Sequence, residues 1–296
     1  MMSISKSHQY FQRAREVSLG VIASELRSSI VSFKMRSTWH NIRSYAPNLL
    51  DDPVWKIYLR NIAFEKSITE FWASQLKAIE AGVLTNDESY LVQMPTSAGK
   101  TLIAELTILS ALTTDDDSRC LYIAPYRALV HEIERALSET LSSLGYRVST
   151  LIGGFEFDAF QNFLITESDV LIATPEKTEL LLRTHPEYFE NIDVIVVDEG
   201  HIVDEGVPSF VDLVGEKTFR EELEEKGTLG RGPLLELLIT RLKRKLPEAR
   251  VIFLSAVMPE TNASDFVTWL SQERTEPLRI SPAECNWPQK LDHVLR

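Results

Sequence analysis

Cysteine is nearly absent from this chain of 296 residues, which contains Cys120 and Cys285 and no others. Two distant cysteines exclude a disulfide framework and a cysteine-based zinc site, so we expect a reducing compartment, the cytoplasm. Long apolar runs are also missing, and none approaches the ~20 residues that a membrane span needs. The six histidines show no metal-ligand spacing. These absences favour a globular protein that does not insert into a membrane.

The chain also lacks an excess of positive charge, because its net charge is −12 at pH 7. Nucleic acid, if it binds, is therefore expected in one groove and not over the whole surface. The charge is uneven: residues 1–43 contain seven Lys or Arg and two Glu, a net charge of +5, which leaves −17 for the rest. Two interpretations of this basic segment stay open. It is either a helical cap packed on the next domain or a contact surface for a protein partner or nucleic acid.

The hydrophobic pattern changes near residue 89. Before that point, residues 7–45 and 54–84 repeat apolar side chains at helical spacing. After it, short β-rich runs alternate with helical stretches. The β-rich runs are 90–94, 120–124, 147–152, 170–173, 194–197 and 251–254, and the helical stretches are 101–113, 127–144, 176–184 and 233–246. This alternation predicts an α/β fold with a parallel sheet between helices, in which ligands bind after the carboxyl ends of the strands.

A phosphate-binding loop is predicted directly after the first strand, where the chain passes through Gly99-Lys100-Thr101 into a helix. Backbone N–H groups of such a turn, together with the helix N-terminus, bind phosphate oxygens. Lys100 can reach the β- and γ-phosphates of ATP, and the Thr101 hydroxyl can ligate Mg²⁺. Met94 stands where the usual pattern has its first glycine. The predicted ATP-binding residues of the loop are Pro95, Thr96, Ser97, Ala98, Gly99, Lys100 and Thr101.

An acidic pair follows the fifth strand. The apolar run 194–197 leads into Asp198-Glu199-Gly200-His201. Asp198 suits a Mg²⁺ held with Thr101, through a water, and Glu199 suits the positioning and deprotonation of the attacking water. The order of a phosphate loop followed by this pair predicts a site that hydrolyses ATP.

Taken together, the motifs resemble those of a superfamily-two helicase motor, most similar to the superkiller-like DExH branch. The resemblance covers roughly residues 70–270 and implies the first RecA-like lobe of a P-loop NTPase. It assigns adenine recognition to Gln75 and the coupling of hydrolysis to movement to His201 and Ser255. It also implies contacts with the nucleic-acid backbone. Those contacts are assigned to Pro125, Arg127, Gly154, Thr174 and Lys177.

The resemblance implies ATP-driven translocation on nucleic acid, or its unwinding, with 3′ to 5′ polarity. The motifs favour DNA over RNA only slightly, and a non-unwinding translocase or ATPase switch subunit of a nuclease, defence or repair complex is the alternative. A nucleotide-binding scaffold without hydrolysis is a third hypothesis, and retention of both Asp198 and Glu199 argues against it. The expected organisation is a helical extension over 1–55 and a motor lobe over 56–296.

Two departures from the family pattern bear on these expectations. Val257 replaces the usual threonine, which removes a hydroxyl from the coupling motif. Residues 206–230 resemble an inserted acidic helix, interpreted as a solvated surface insertion. In addition, the family's second RecA-like lobe, which supplies arginine fingers, does not occur in the 296 residues, so the chain resembles a fragment of a longer protein.

Overall fold

The structure is a computed structural model that describes residues 2–95, 98–151, 159–200, 231–256 and 279–280. Its α-helices are α1 Met2–Arg36, α2 Thr38–Tyr45, α3 Pro53–Phe64, α4 Ala73–Glu80, α5 Lys100–Thr114, α6 Arg127–Leu141, α7 Ala159–Thr166, α8 Pro175–Thr184 and α9 Arg231–Lys245. Its strands are β1 Tyr90–Gln93, β2 Arg119–Ile123, β3 Val148–Leu151, β4 Val170–Ala173, β5 Ile192–Val197, β6 Arg250–Ser255 and β7 Arg279–Ile280.

The strands form one sheet in the order β3-β4-β2-β5-β6-β1-β7, and every neighbouring pair is parallel. The predicted α/β class with a parallel sheet between helices is thereby confirmed. In the order of strands, β5 and β6 separate β1, which leads into the predicted phosphate loop, from β2 and β4. The carboxyl end of β1 and the carboxyl ends of β2 and β4 therefore lie at the same edge of the sheet but in different halves of it.

Side chains alternate between two hydrophobic cores, one on each face of the sheet. Along β6, Ile252 and Leu254 join the core with helices α3, α4, α5 and α6, whereas Val251 and Phe253 join the core with α8 and α9. This period of two, with both faces buried, explains why the sequence shows continuous apolar strands.

The N-terminal helices differ from their predicted limits. The single helix expected over 7–45 is interrupted at Ser37, which forms a β-bridge with Glu70. The helix expected over 54–84 divides into α3 and α4, because residues 65–72 run between them without helical structure. Helical spacing of apolar residues continues across both interruptions, so periodicity alone could not locate them. The strand β7 and the helix α7 had no sequence prediction.

The helices α3 and α4 pack on the sheet, whereas much of α1 does not. Trp55 is fully buried and its indole N–H donates to Thr113 Oγ1 of α5 at 2.9 Å. By contrast, every side chain from 17 to 36 is exposed, and Arg36 at the end of this stretch pairs with Glu70 at 2.9 Å. None of the helices within the described ranges is both long and apolar enough to cross a membrane.

Candidate nucleotide site and nucleic-acid rim

The predicted phosphate loop joins β1 to α5. Gly99 precedes the helix with φ 75°, a left-handed conformation that favours glycine. Lys100 begins α5 and is only 6% exposed. The N-terminus of a helix and a buried cation therefore lie together at this loop, where both can bind an anion. Ala98 N–H donates to Pro95 O at 2.9 Å, which closes the turn. Thr96 and Ser97 lie outside the described residues.

The Gln75 side chain lies against this loop. Its Nε2 donates to Ala98 O at 3.2 Å and to Gly99 O at 3.1 Å, while its Oε1 accepts from Trp72 N at 2.8 Å. A Cβ on Gly99 would lie 2.2 Å from Nε2, so a side chain at this position would displace the end of Gln75. Both ends of the carboxamide therefore support the loop and the start of α4. Adenine recognition by Gln75 stays a prediction.

We expect Gln75→Ala to lower the preference for ATP over GTP more than it lowers affinity for the phosphates, because a carboxamide can pair with the donor and acceptor edge of adenine at once. Titrations of the chain with the two fluorescent nucleotides measure this. Gln75→Glu is the matched control, since Glu keeps an acceptor for Trp72 N but places a carboxylate beside two carbonyls. An unchanged ratio of the two affinities would instead assign Gln75 to support of the loop, where its Nε2 donates to Ala98 O and Gly99 O.

The acidic pair stands at the carboxyl end of β5. Asp198 N–H donates to Ile123 O at 2.9 Å, which fixes Asp198 to the end of β2. Its Oδ2 accepts from Tyr122 OH at 2.9 Å, and its Oδ1 accepts from Glu199 N at 2.8 Å. Burial raises the pKa of Asp198, and these hydrogen bonds offset that effect in part. Burial of an anion is costly unless a cation accompanies it, so this carboxylate suits a metal ion.

Glu199 contacts the phosphate-loop lysine. Lys100 Nζ donates to Glu199 Oε1 at 3.0 Å, and the two side chains are 6% and 23% exposed. The predicted phosphate ligand and the predicted general base thus meet, although they lie 99 positions apart in the sequence. A nucleotide phosphate entering the loop would compete with Glu199 for this ammonium group.

The backbone at Glu199 is strained. Its φ is 49°, in the left-handed region, which costs a residue with a side chain on the order of 1–3 kcal/mol. Such strain persists only where the surrounding structure imposes it, and it concentrates at functional sites.

The predicted coupling residues are only partly within the described chain. Ser255 ends β6 opposite Gln93 and its carbonyl accepts from Met94 N at 2.9 Å, so it lies at the base of the phosphate loop. Its hydroxyl is buried and has no hydrogen-bond partner among the residues that the structure describes. His201 and Val257 lie outside the described residues, as does the proposed insertion 206–230, and their roles stay predictions.

Four of the five predicted nucleic-acid residues follow β2 and β4, which are adjacent. Ala124 N–H donates to Ala173 O at 3.0 Å, which brings the two strand ends together. Arg127 is exposed at the start of α6, whereas Pro125 is buried before it. Thr174 caps α8 by accepting from Lys177 N at 3.4 Å.

Lys177 is only 8% exposed, and burial lowers its pKa. Arg127 is therefore the more accessible of the two predicted cations. Gly154 lies outside the described residues. Contact of any of these residues with nucleic acid stays a prediction.

Sequence reasoning did not identify two supporting residues. Burial raises the pKa of Tyr122 well above its ordinary value, so its hydroxyl stays protonated and donates to Asp198. Glu179 of α8 pairs with Arg183 at 2.6 Å and with Arg241 of α9, which joins the two helices. The spacing of Glu179 and Arg183 in a helix signals their pairing, but Arg241 has no comparable signal.

A parallel sheet with a phosphate loop after β1 and an acidic pair after β5 defines a RecA-like P-loop nucleotide-binding lobe. The model of the DEAD/DEAH box helicase family matches residues 72–266. The chain therefore belongs to the DEAD/DEAH box helicase family, which confirms the resemblance seen in the sequence.

Two relatives illustrate the similarity. The Hachiman protein HamB of Bacillus cereus is 36% identical over 231 residues, covering 77% of this chain and 18% of that protein. The ATP-dependent DNA helicase Hel308 of Pyrococcus abyssi is 30% identical over 213 residues, covering 72% of this chain and 25% of that protein. The chain thus spans a quarter or less of the length of these relatives.

Solved structures show the same fold. The DUF1998 helicase MrfA superimposes with a TM-score of 0.56 at 24% identity, covering 77% of this chain and 32% of that chain. The Mycobacterium smegmatis helicase Lhr, solved with single-stranded DNA and AMP-PNP, has a TM-score of 0.56 at 23% identity, covering 78% of this chain and 28% of that chain.

Proposed function

We propose that this chain is the ATP-binding lobe of a nucleic-acid-dependent ATPase that translocates on or unwinds nucleic acid. The observation that carries the proposal is the contact of Lys100 with Glu199 beside Asp198. A phosphate-binding cation, a general base and a metal-binding carboxylate are the groups that phosphoryl transfer to water needs. Membership of the helicase family supports ATP as the nucleotide.

Mg²⁺ is proposed as the metal, with Thr101 and Asp198 as the residues that hold it. The donor set fits, because oxygen ligands from a hydroxyl and a carboxylate are typical of Mg²⁺ bound with a nucleotide. The raised pKa of the buried Asp198 fits as well, since a nearby dication would favour the ionised carboxylate. When bound, Mg²⁺ neutralises charge on the phosphates. Glu199 would hold the attacking water and take its proton.

DNA is proposed as the nucleic acid, in preference to RNA, with translocation from 3′ to 5′. Hel308 is named a DNA helicase, and MrfA has been solved bound to DNA. The five predicted nucleic-acid residues, which form the proposed rim, contact phosphates and sugars in this proposal. They would therefore set the affinity without reading the base sequence. The direction rests on the resemblance of the motifs alone.

A second candidate is a non-unwinding translocase or ATPase switch subunit of a nuclease, defence or repair complex. It is favoured by the similarity to HamB, whose name does not describe a helicase and which is more similar to this chain than Hel308 is. A strand-displacement assay beside an ATPase assay separates the two, because a translocase hydrolyses ATP on single strands without separating a duplex.

We propose the domain organisation that the sequence predicts. Residues 1–55 form the extension and 56–296 belong to the motor lobe, to which a second RecA-like lobe would be joined. The exposed side chains of 17–36 leave α1 accessible to a protein partner or nucleic acid. Arg27 and Arg36 would contribute to such a contact.

We expect Arg127→Ala to weaken binding of single-stranded DNA roughly tenfold, since a hydrogen bond to a charged group contributes about 1.5–3 kcal/mol. The loss should be similar for different base sequences, and the slope of log affinity against log salt should flatten by about one unit. Fluorescence anisotropy with labelled DNA and RNA strands measures both and compares the two nucleic acids.

Arg135→Ala is the matched control for Arg127, because Arg135 is an exposed cation of the same helix that pairs with Glu139 at 3.5 Å. It should leave DNA binding unchanged. Equal losses in the two variants, or a loss for one base sequence only, would remove Arg127 from the proposed rim. Binding of MgATP without DNA should be the same in both variants and the unmodified chain.

A further inference from the structure

Gly200 lies in direct contact with the ring of Phe253. A Cβ on Gly200 would lie 1.7 Å from Phe253 Cε1, 2.3 Å from Cδ1 and 2.5 Å from Cζ, distances at which the ring would have to move. The backbone does not explain this glycine, since Gly200 is outside the left-handed region that favours glycine. The requirement is therefore steric and comes from Phe253.

Phe253 is held firmly by its surroundings. It is fully buried in the core with α8 and α9, in the interior strand β6, which lies between β5 and β1. It is in register with Val197 on one side and with Leu91 on the other, in the strands that lead to Asp198 and to the phosphate loop. The buried ring therefore packs against the turn that carries the acidic pair.

Glu199 stands between this surface and the phosphate loop. The neighbouring Gly200 packs on Phe253, Glu199 itself takes the left-handed conformation, and its carboxylate reaches Lys100. Strain at Glu199 needs a contact that enforces it, and the packing of Gly200 on the ring is such a contact.

We propose that Phe253 is a positioning residue for the hydrolytic reaction: its ring, packed against Gly200, sets the turn that aims Glu199 into the nucleotide site. Phe253 does not touch the nucleotide and acts only through the backbone of 199–200. The assignment rests on the proposed ATPase function. It predicts a loss in the rate of hydrolysis without a matching loss in ATP affinity, because Lys100 and the loop are left in place.

The test is a pair of compensating substitutions in the whole chain. Gly200→Ala should lower the single-turnover rate of ATP hydrolysis at least about tenfold, because small displacements of a catalytic group are costly, while the Kd for MgATP changes less than about threefold. Adding Phe253→Leu should create room for the new methyl group and restore the rate to within about threefold of the unmodified chain. Excess chain over radiolabelled ATP makes slow turnover measurable.

Phe189→Leu is the control, since Phe189 is fully buried in the same core and is not among the atoms nearest to Gly200. It should not restore the Gly200→Ala variant. Thermal unfolding of each variant shows whether a change in rate merely follows a change in stability. If Gly200→Ala does not fold, Phe253→Leu alone should still lower the rate more than Phe189→Leu does.

Three results would overturn the assignment: an unchanged rate in Gly200→Ala, equal rescue by Phe189→Leu, or a fall in ATP affinity that accounts for the whole loss. Failure of the proposed function is a different result, because the unmodified chain would then neither bind nor hydrolyse ATP.

Discussion

Lys100→Ala is expected to weaken binding of MgATP about 10- to 100-fold, since hydrogen bonds to charged groups contribute about 1.5–3 kcal/mol each. Glu199→Gln, by contrast, is expected not to weaken binding of MgATP. The Gln side chain no longer holds the ammonium group of Lys100 as an ion pair, so phosphate should bind at least as tightly as before. Hydrolysis should fall by about 10²–10⁴, the usual contribution of a general base.

Equilibrium titration with fluorescent ATP and single-turnover hydrolysis separate the two effects. Lys56→Ala serves as the control, because Lys56 is an exposed lysine on α3 and should change neither quantity. If Glu199→Gln loses ATP binding as severely as Lys100→Ala, Glu199 supports the site structurally and is not the base.

The isolated chain is expected to hydrolyse ATP slowly under multiple turnover, even with saturating DNA. The motifs assigned here belong to one lobe, and an arginine finger supplied by another lobe can account for about 10³–10⁵ in rate. The chain covers only 18–28% of the length of HamB and of two Hel308 proteins, which is consistent with a larger motor. We expect a longer protein that joins this lobe to a second RecA-like lobe to recover most of this factor.

Phosphate release measured with and without single-stranded DNA tests this, with the Lys100→Ala chain setting the background. Rapid, DNA-stimulated turnover by residues 1–296 alone would show that the lobe supplies its own stabilisation of the transition state. This outcome does not depend on the role of Glu199, because the same lobe is compared alone and joined to a second RecA-like lobe.

Six of the seven strands described in the sheet could be predicted closely because each of those six carries its own signal. For example, the apolar run 194–197 became β5, Ile192–Val197. Helix limits were predicted less well, since Ser37 and residues 65–72 interrupt helices through contacts with distant parts of the chain. The bridge of Ser37 to Glu70 illustrates this, because neither residue signals the other in the sequence.

The sequence by itself determined the class of fold and located the predicted phosphate loop and the acidic pair. These depend on local patterns: apolar alternation, a glycine before Lys100, and charge directly after an apolar run. The tertiary structure alone decided which groups meet. Gln75 supports the phosphate loop, Tyr122 donates to Asp198, and Gly200 packs on Phe253. Each of these contacts joins separate elements across a sheet whose strand order differs from the order of the chain, so only the folded arrangement brings them together.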